Sequence, residues 1–397
     1  MKLLKLNKDL SDKFKILFLL ILFLYAFIPF EGGGSQFVFI AHSFSLMLIT
    51  LYALYANNFK IKMNRLGKIS LFILLFFLIL SILVSNGGRE YTMFLSIVFS
   101  FITASAIHYS ANFKNYFLTA LKWLIIISVT TLVLQLLIFM MTGTIIHFHE
   151  MIYPFSEGRI GTDRLFSDLY RFGGIYIEPG TYSNWMYLFL VMYMILSKKV
   201  FSPLVLIGSL SMILSYSVWG MVFGAFLFTI AVMTKIKGSS LKFKVLLILF
   251  FFFFSYFSIS QFANSEAVKF AIFKLNTDSS NTSTSGKIDF YKKYENHISD
   301  LLVIGEGYKP KIYEGIGSPQ DTGIIINLSV IYGILFTATI LFIFTISFLK
   351  CCGWVMLFAS LPMFISKIYF TDPVFWLLYF LVVYGGYNTM KNKRNNL

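Results

Sequence analysis

The residues best suited to chemistry lie in a polar island at 143–180, between two uncharged apolar runs. It carries Arg159, Arg164 and Arg171, five carboxylates and two histidines, and ends in Arg171-Phe-Gly-Gly-Ile-Tyr-Ile-Glu178-Pro179-Gly180. A guanidinium keeps its charge and presents a planar fork of donors matched to phosphate oxygens. Three of them at a membrane surface suit an anionic, lipid-linked ligand: they can hold a diphosphate and stabilise the charge that builds as it leaves. An ordinary loop is the competing reading, with Arg159 paired to Glu157 or Asp163 and Arg164 to Asp168. Arg171 is the preferred ligand residue, because the two glycines after it allow backbone to approach a ligand closely.

Acid–base candidates are spread more widely. Glu178 precedes a proline at a helix start, where a carboxylate favours the helix dipole. It is also placed to orient an arginine or to deprotonate a sugar hydroxyl. His297 is a candidate base near neutral pH, and Asp321 both starts a helix and faces the same side. Lys287, with Lys292 and Lys293 close behind, adds positive charge that could attract phosphates. His147-Phe-His149 has a spacing able to ligate metal from a strand. No further ligand set stands beside it in sequence, so no metal is expected. Glu31 is a lone acid in an early loop, and His42 and His108 fall in or at the end of apolar runs.

The elements that must position these groups are membrane helices. The 397 residues are 57% hydrophobic, with a mean hydropathy of +0.76, 47 Phe and 23 Tyr. Apolar runs recur at about 16–30, 37–56, 69–85, 91–110, 123–142, 181–197, 201–216, 218–234, 245–260, 323–349, 351–369 and 373–388. Most are long enough to cross a hydrocarbon core about 30 Å thick. The expectation is an all-α polytopic integral membrane protein, a single membrane domain over 1–397 with about twelve transmembrane helices. The first run follows lysines but has no small-residue cleavage site after it, which predicts a retained helix rather than a signal peptide.

Charge orients the chain. Alternate segments (the N-terminus, 57–68, 111–122, 198–200, 235–244, 350 and the C-terminal tail) hold 21 of the 33 basic residues, with Asp9 and Asp12 as their only acids. The positive-inside rule then predicts cytoplasmic N- and C-termini. The net charge of +15 therefore flanks helices and gives no reason to expect nucleic acid as a partner. The stretch from Phe201 to Thr234 must split near Ser215-Tyr-Ser-Val-Trp-Gly220, or four lysines would emerge on the wrong side. Gly220 and Gly224 form a GxxxG suited to close helix contact. Cys351 and Cys352 are adjacent and suggest neither a disulfide nor a metal site.

Two periplasmic loops exceed a simple turn, at 143–180 and 261–322. The second begins with a polar stretch, Asn276–Gly286. Ile288, Tyr291, Tyr294, His297 or Ile298, and Leu301 then recur at helical spacing, predicting an amphipathic helix on the outer face.

The segment Arg171–Pro179, the many-spanning apolar chain, and a late loop closing in Gly305-Glu306-Gly307 and Asp321-Thr322-Gly323 together resemble the Wzy-type O-antigen and capsule polymerases. The resemblance covers the whole chain in topology and only short motifs in residues. It implies an inner-membrane glycosyltransferase that joins oligosaccharide repeat units carried on undecaprenyl diphosphate, without metal or cofactor. The family's functional arginines map to Arg164 and Arg171, and its acid-proline pair to Glu178-Pro179. Lys287 stands where such polymerases often have arginine, and the second large loop has none. Implied partners are the lipid bilayer and the undecaprenyl-diphosphate-linked oligosaccharide, with a chain-length regulator and a flippase left open. An O-antigen ligase would share this topology and arginine chemistry. A lipid-linked oligosaccharide flippase would be expected to keep charges inside its spans, and these spans are almost charge-free.

Overall fold

A computed structural model describes residues 2–28, 36–84, 89–153, 161–163, 166–236, 292–307, 322–366 and 371–394. Helices dominate: α1 (Lys2–Phe27), α2 (Gln36–Ala56), α3 (Arg65–Val84), α4 (Arg89–Tyr109), α5 (Ala111–Thr142) and the short α6 (Phe148–Ile152). A two-stranded antiparallel ribbon follows, β1 (Gly161–Asp163) and β2 (Phe166–Arg171). Next come α7 (Pro179–Ser197), α8 (Pro203–Leu214) and α9 (Val218–Ile236), then α10 (Ile324–Tyr332), α11 (Ile334–Cys351), α12 (Gly353–Ser360) with a 3-10 turn at Leu361–Phe364, and α13 (Pro373–Arg394). The ribbon departs from the all-α expectation. Its register pairs Gly161 with Arg171 and Thr162 with Tyr170, with an irregularity before Asp163.

Among the described residues, α3, α4, α5, α9 and α11 contain segments long and apolar enough to cross a bilayer. This is the architecture of a helical membrane protein. Phe72, Leu83, Met140, Phe342 and Trp354 are all more than half exposed, a surface suited to lipid rather than water. The expected run at 245–260 lies outside the described residues. α7 and α13 behave differently: Tyr182 to Leu196 and Val374 to Tyr384 are buried without interruption. Helices apolar all round belong in the middle of a bundle, and α13 packs there against α4, α11, α3 and α7.

The lysine-rich segments gather at one end of this bundle. Tyr116 near the start of α5 donates to Asp12 of α1 at 2.5 Å, and Asp12 pairs with Lys15 at 3.1 Å. That carboxylate raises the Lys15 pKa above its ordinary value. Asn64, just before α3, donates to the carbonyls of Val383 and Tyr384 at 3.2 Å each. Lys62 lies over the ring of Tyr109, and Cys351 abuts Gly385. Several of the segments that charge groups together are thus paired in space: the N-terminus with the start of α5, and both 57–68 and the end of α11 with α13.

Glycines bear on two of the expected features, the division of 201–234 and the run at 323–349. The split at 215–217 is present: α8 and α9 form an antiparallel hairpin around Tyr216, whose φ is +55°. A Cβ on Gly220 would meet Met212 O at 2.3 Å, and one on Gly224 would meet Ser209 O at 2.6 Å, so the GxxxG does serve close contact. The run at 323–349 is not one helix, because it breaks at Gly333, where φ is +102°. The segment 301–307 docks there backbone to backbone. Glu306 N donates to Val330 O at 2.7 Å, Gly307 N to Ile331 O at 3.1 Å, Ile334 N to Leu301 O at 2.9 Å, and Leu335 N to Leu302 O at 3.0 Å. Broken backbone within an apolar bundle is tolerated only when its freed polar groups find such partners. Gly305 is required for the approach, since a Cβ would lie 2.4 Å from Val330 O.

Candidate functional site

The descent of the chain after Arg171 shapes the end of the bundle opposite the lysines. Phe172 packs its ring on Phe139 at 5.6 Å. The amides of Gly173 and Gly174 donate to Gln135 Oε1 at 3.1 and 2.9 Å. A Cβ on Gly174, whose φ is +60°, would meet Leu132 N and Thr131 Oγ1 at 3.0 Å. Tyr176 reaches Ser128 at 3.3 Å, hydroxyl to hydroxyl. Phe139, Gln135, Leu132 and Ser128 lie on successive turns of α5, so residues 172–176 run down one face of that helix. Gly174 is level with Leu132, ten residues and so about 15 Å short of the helix end at Thr142.

This corrects the expectation for the glycine pair. Both amides are taken by Gln135; Gly174 admits the backbone of α5, and a Cβ on Gly173 would meet Tyr176 O at 2.7 Å, so the close approaches seen here are within the protein. Residues 172–177 are all buried. Burial also drives the Tyr176 phenol far above its ordinary pKa, so it stays protonated.

Glu178 then starts α7 in extended conformation, with Pro179 at the first helical position. Its carboxylate does not cap the helix. It accepts from Thr181 Oγ1 at 3.1 Å and is partly buried, while its backbone carbonyl accepts from Tyr182 N at 3.0 Å. Hydroxyl contacts lie one turn further along: Ser183 with Ser215 at 3.0 Å and Tyr182 with Ser211 at 2.6 Å. They tie α7 to the α8–α9 hairpin. Arg171, seven residues before Glu178, is partly buried and engaged by its neighbours.

Arg159 and Arg164 lie outside the described residues, as do Lys287 and Asp321. The helix that Asp321 was expected to start is capped instead by Gly323, with φ +89° and no side-chain cap. His297 is exposed. Its Nδ1 donates to Lys293 O at 2.8 Å, which leaves Nε2 as the nitrogen able to accept a proton. Of the amphipathic helix expected there, Ile288 and Tyr291 lie outside the described residues; 292–296 are helical and irregular turns follow. Leu301 is buried against Val330, but Ile298 is exposed.

Three polar residues escaped the sequence reading. Gln135 was detectable as an amide inside an apolar run. It also donates to Ile146 O at 2.6 Å, joining both limbs of the polar island. Asn184 in α7 is buried, and neither atom of its amide has a hydrogen-bond partner among the described residues. Glu150 stands beside His147 and His149, with one potential ligand atom from each of the three within 4.8 Å of the others. The histidines flank the start of α6 rather than a strand.

No family model, curated protein or solved structure matches the chain.

Proposed function

We propose that this protein is a polymerase of surface polysaccharide, joining undecaprenyl-diphosphate-linked oligosaccharide repeat units at the periplasmic face of the inner membrane. The observation carrying this reading is the sunken segment Arg171–Glu178. It offers a guanidinium and, seven residues further on and below the end of α5, a carboxylate, in the part of the apolar bundle away from its lysines. A lipid-linked diphosphate has its head group at such a boundary and its tail along such helices.

In this reading Arg171, with Arg159, Arg164 and Lys287 from the loops, holds the diphosphate of the donor chain. Glu178 accepts the proton of the acceptor sugar hydroxyl, with His297 and Asp321 as the other candidate bases. The acceptor oxygen bonds to the anomeric carbon of the donor. The bond from that carbon to the diphosphate oxygen breaks, and undecaprenyl diphosphate leaves with both electrons of that bond. The arginines offset the charge that develops on it. Both termini lie in the cytoplasm, and the two large loops in the periplasm.

Deletion followed by electrophoresis of the lipopolysaccharide tests this function. Loss of a polymerase leaves core carrying a single repeat unit. Bare core would point instead to a ligase, or to a flippase if the lipid-linked unit accumulates on the cytoplasmic side.

A further inference from the structure

We propose that His147, His149 and Glu150 bind one divalent transition-metal ion of the zinc type, as a clamp on the connection between α5 and α6. The three ligand atoms lie within 4.8 Å of one another, and His149 Nε2 is 3.8 Å from Glu150 Oε1. The two imidazole rings meet edge to face at 5.5 Å between centroids. Ligand atoms on one tetrahedral zinc lie about 3.3 Å apart, given bonds of about 2.0–2.2 Å. The set must therefore close by up to about 1.5 Å on binding, and the Glu150 side chain, which is half exposed, has room to move inward.

A second observation favours an ion over a simple ion pair. The Nδ1 of His147 is buried and has no hydrogen-bond partner among the described residues. His147 is the N-cap of α6 but its side chain makes no cap bond there. A buried imidazole nitrogen with nothing to bind costs stability, and a metal ion would recover that cost. Two imidazoles and a carboxylate suit zinc or cobalt, whereas magnesium and calcium prefer oxygen alone. Three protein ligands leave a fourth position for water.

The location explains what the ion would do. α6 has only five residues, too few to persist alone. Ile146, just before the site, is held by Gln135, which also holds Gly173 and Gly174. Tyr153, just after it, donates to Tyr25 O at the end of α1 at 2.6 Å. An ion between these two anchors would fix the outer ends of α1 and α5 together. Its role is structural, separate from glycosyl transfer.

The test uses the full-length protein in detergent, without a histidine tag and stripped by a chelator. Calorimetric titration with Zn2+ is expected to give one ion per chain and a raised Tm, while Mg2+ at the same concentration does neither. Co2+ loading should produce the intense visible bands of a low-coordinate site. Glu150→Gln alters an exposed group, and His147→Ala a half-buried one, so both should fold with an apo Tm near wild type. Each should weaken Zn2+ binding by about tenfold or more. Sub-stoichiometric binding, or variants that bind Zn2+ as wild type does, would overturn the proposal.

Discussion

The carboxamide oxygen of Gln135 lies 2.9 Å from the amide nitrogen of Gly174, and the same oxygen also accepts from Gly173. One carboxamide within the apolar run of α5 thus holds the turn that lowers Glu178 into the bundle. Gln135→Leu removes the acceptor and leaves two buried amides without partners. Each orphaned group costs about 1–3 kcal/mol, so a marked drop in Tm in detergent is expected. Gln135→Glu, which keeps an acceptor and loses the donor to Ile146, should fall between the two.

Gly174→Ala should destabilise by more than about 1 kcal/mol, because a positive φ and a close backbone both oppose a side chain. Gly143→Ala is the control. Its φ is +69°, but nothing lies within 4 Å of the added carbon, so only the conformational strain remains. Unfolding curves that show equal losses would refute the packing argument for Gly174.

At the broken helix, Gly305→Val is expected to be far more damaging than Gly143→Ala. The new side chain would collide with the carbonyl of Val330 and free four backbone hydrogen bonds between 301–307 and 330–335. Thermal unfolding and the yield of folded protein both report this. A fully tolerated valine would mean that the segment does not dock as described.

Much of this architecture is legible in the sequence, because long apolar runs and lysine-rich connections obey local rules. The division of 201–234 followed from charge alone, and Gly220 and Gly224 from spacing. The break at Gly333 was not legible, since a lone glycine in an apolar run looks like continuous helix. Its partner segment ends 26 residues earlier at Gly307, and nothing local announces the pairing. The descent of 172–176 was hidden for the same reason: the glycines after Arg171 show that backbone comes close to something, but not that the something is Gln135, 38 residues away. The ribbon at 161–171 lacked a clear alternating pattern. For the candidate site, Arg171, Glu178 and His297 could be nominated from residue type, whereas Glu150 joins the two histidines only through the fold of α6.

Glu178→Gln preserves the size of the side chain and an acceptor for Thr181, so its effect on stability should be small. Loss of the general base should slow chain extension by about a hundredfold or more. Extension by this variant at the wild-type rate would transfer the role to His297 or Asp321.

The most direct measurement is extension by the purified protein of undecaprenyl-diphosphate-linked repeat units in lipid nanodiscs, following both glycan length and released undecaprenyl diphosphate. The wild-type chain should yield oligomers of the repeat with one undecaprenyl diphosphate freed per bond formed, and Arg171→Ala should yield neither. Repeat units left unjoined by the wild-type protein, or joined equally well by Arg171→Ala, would contradict the account.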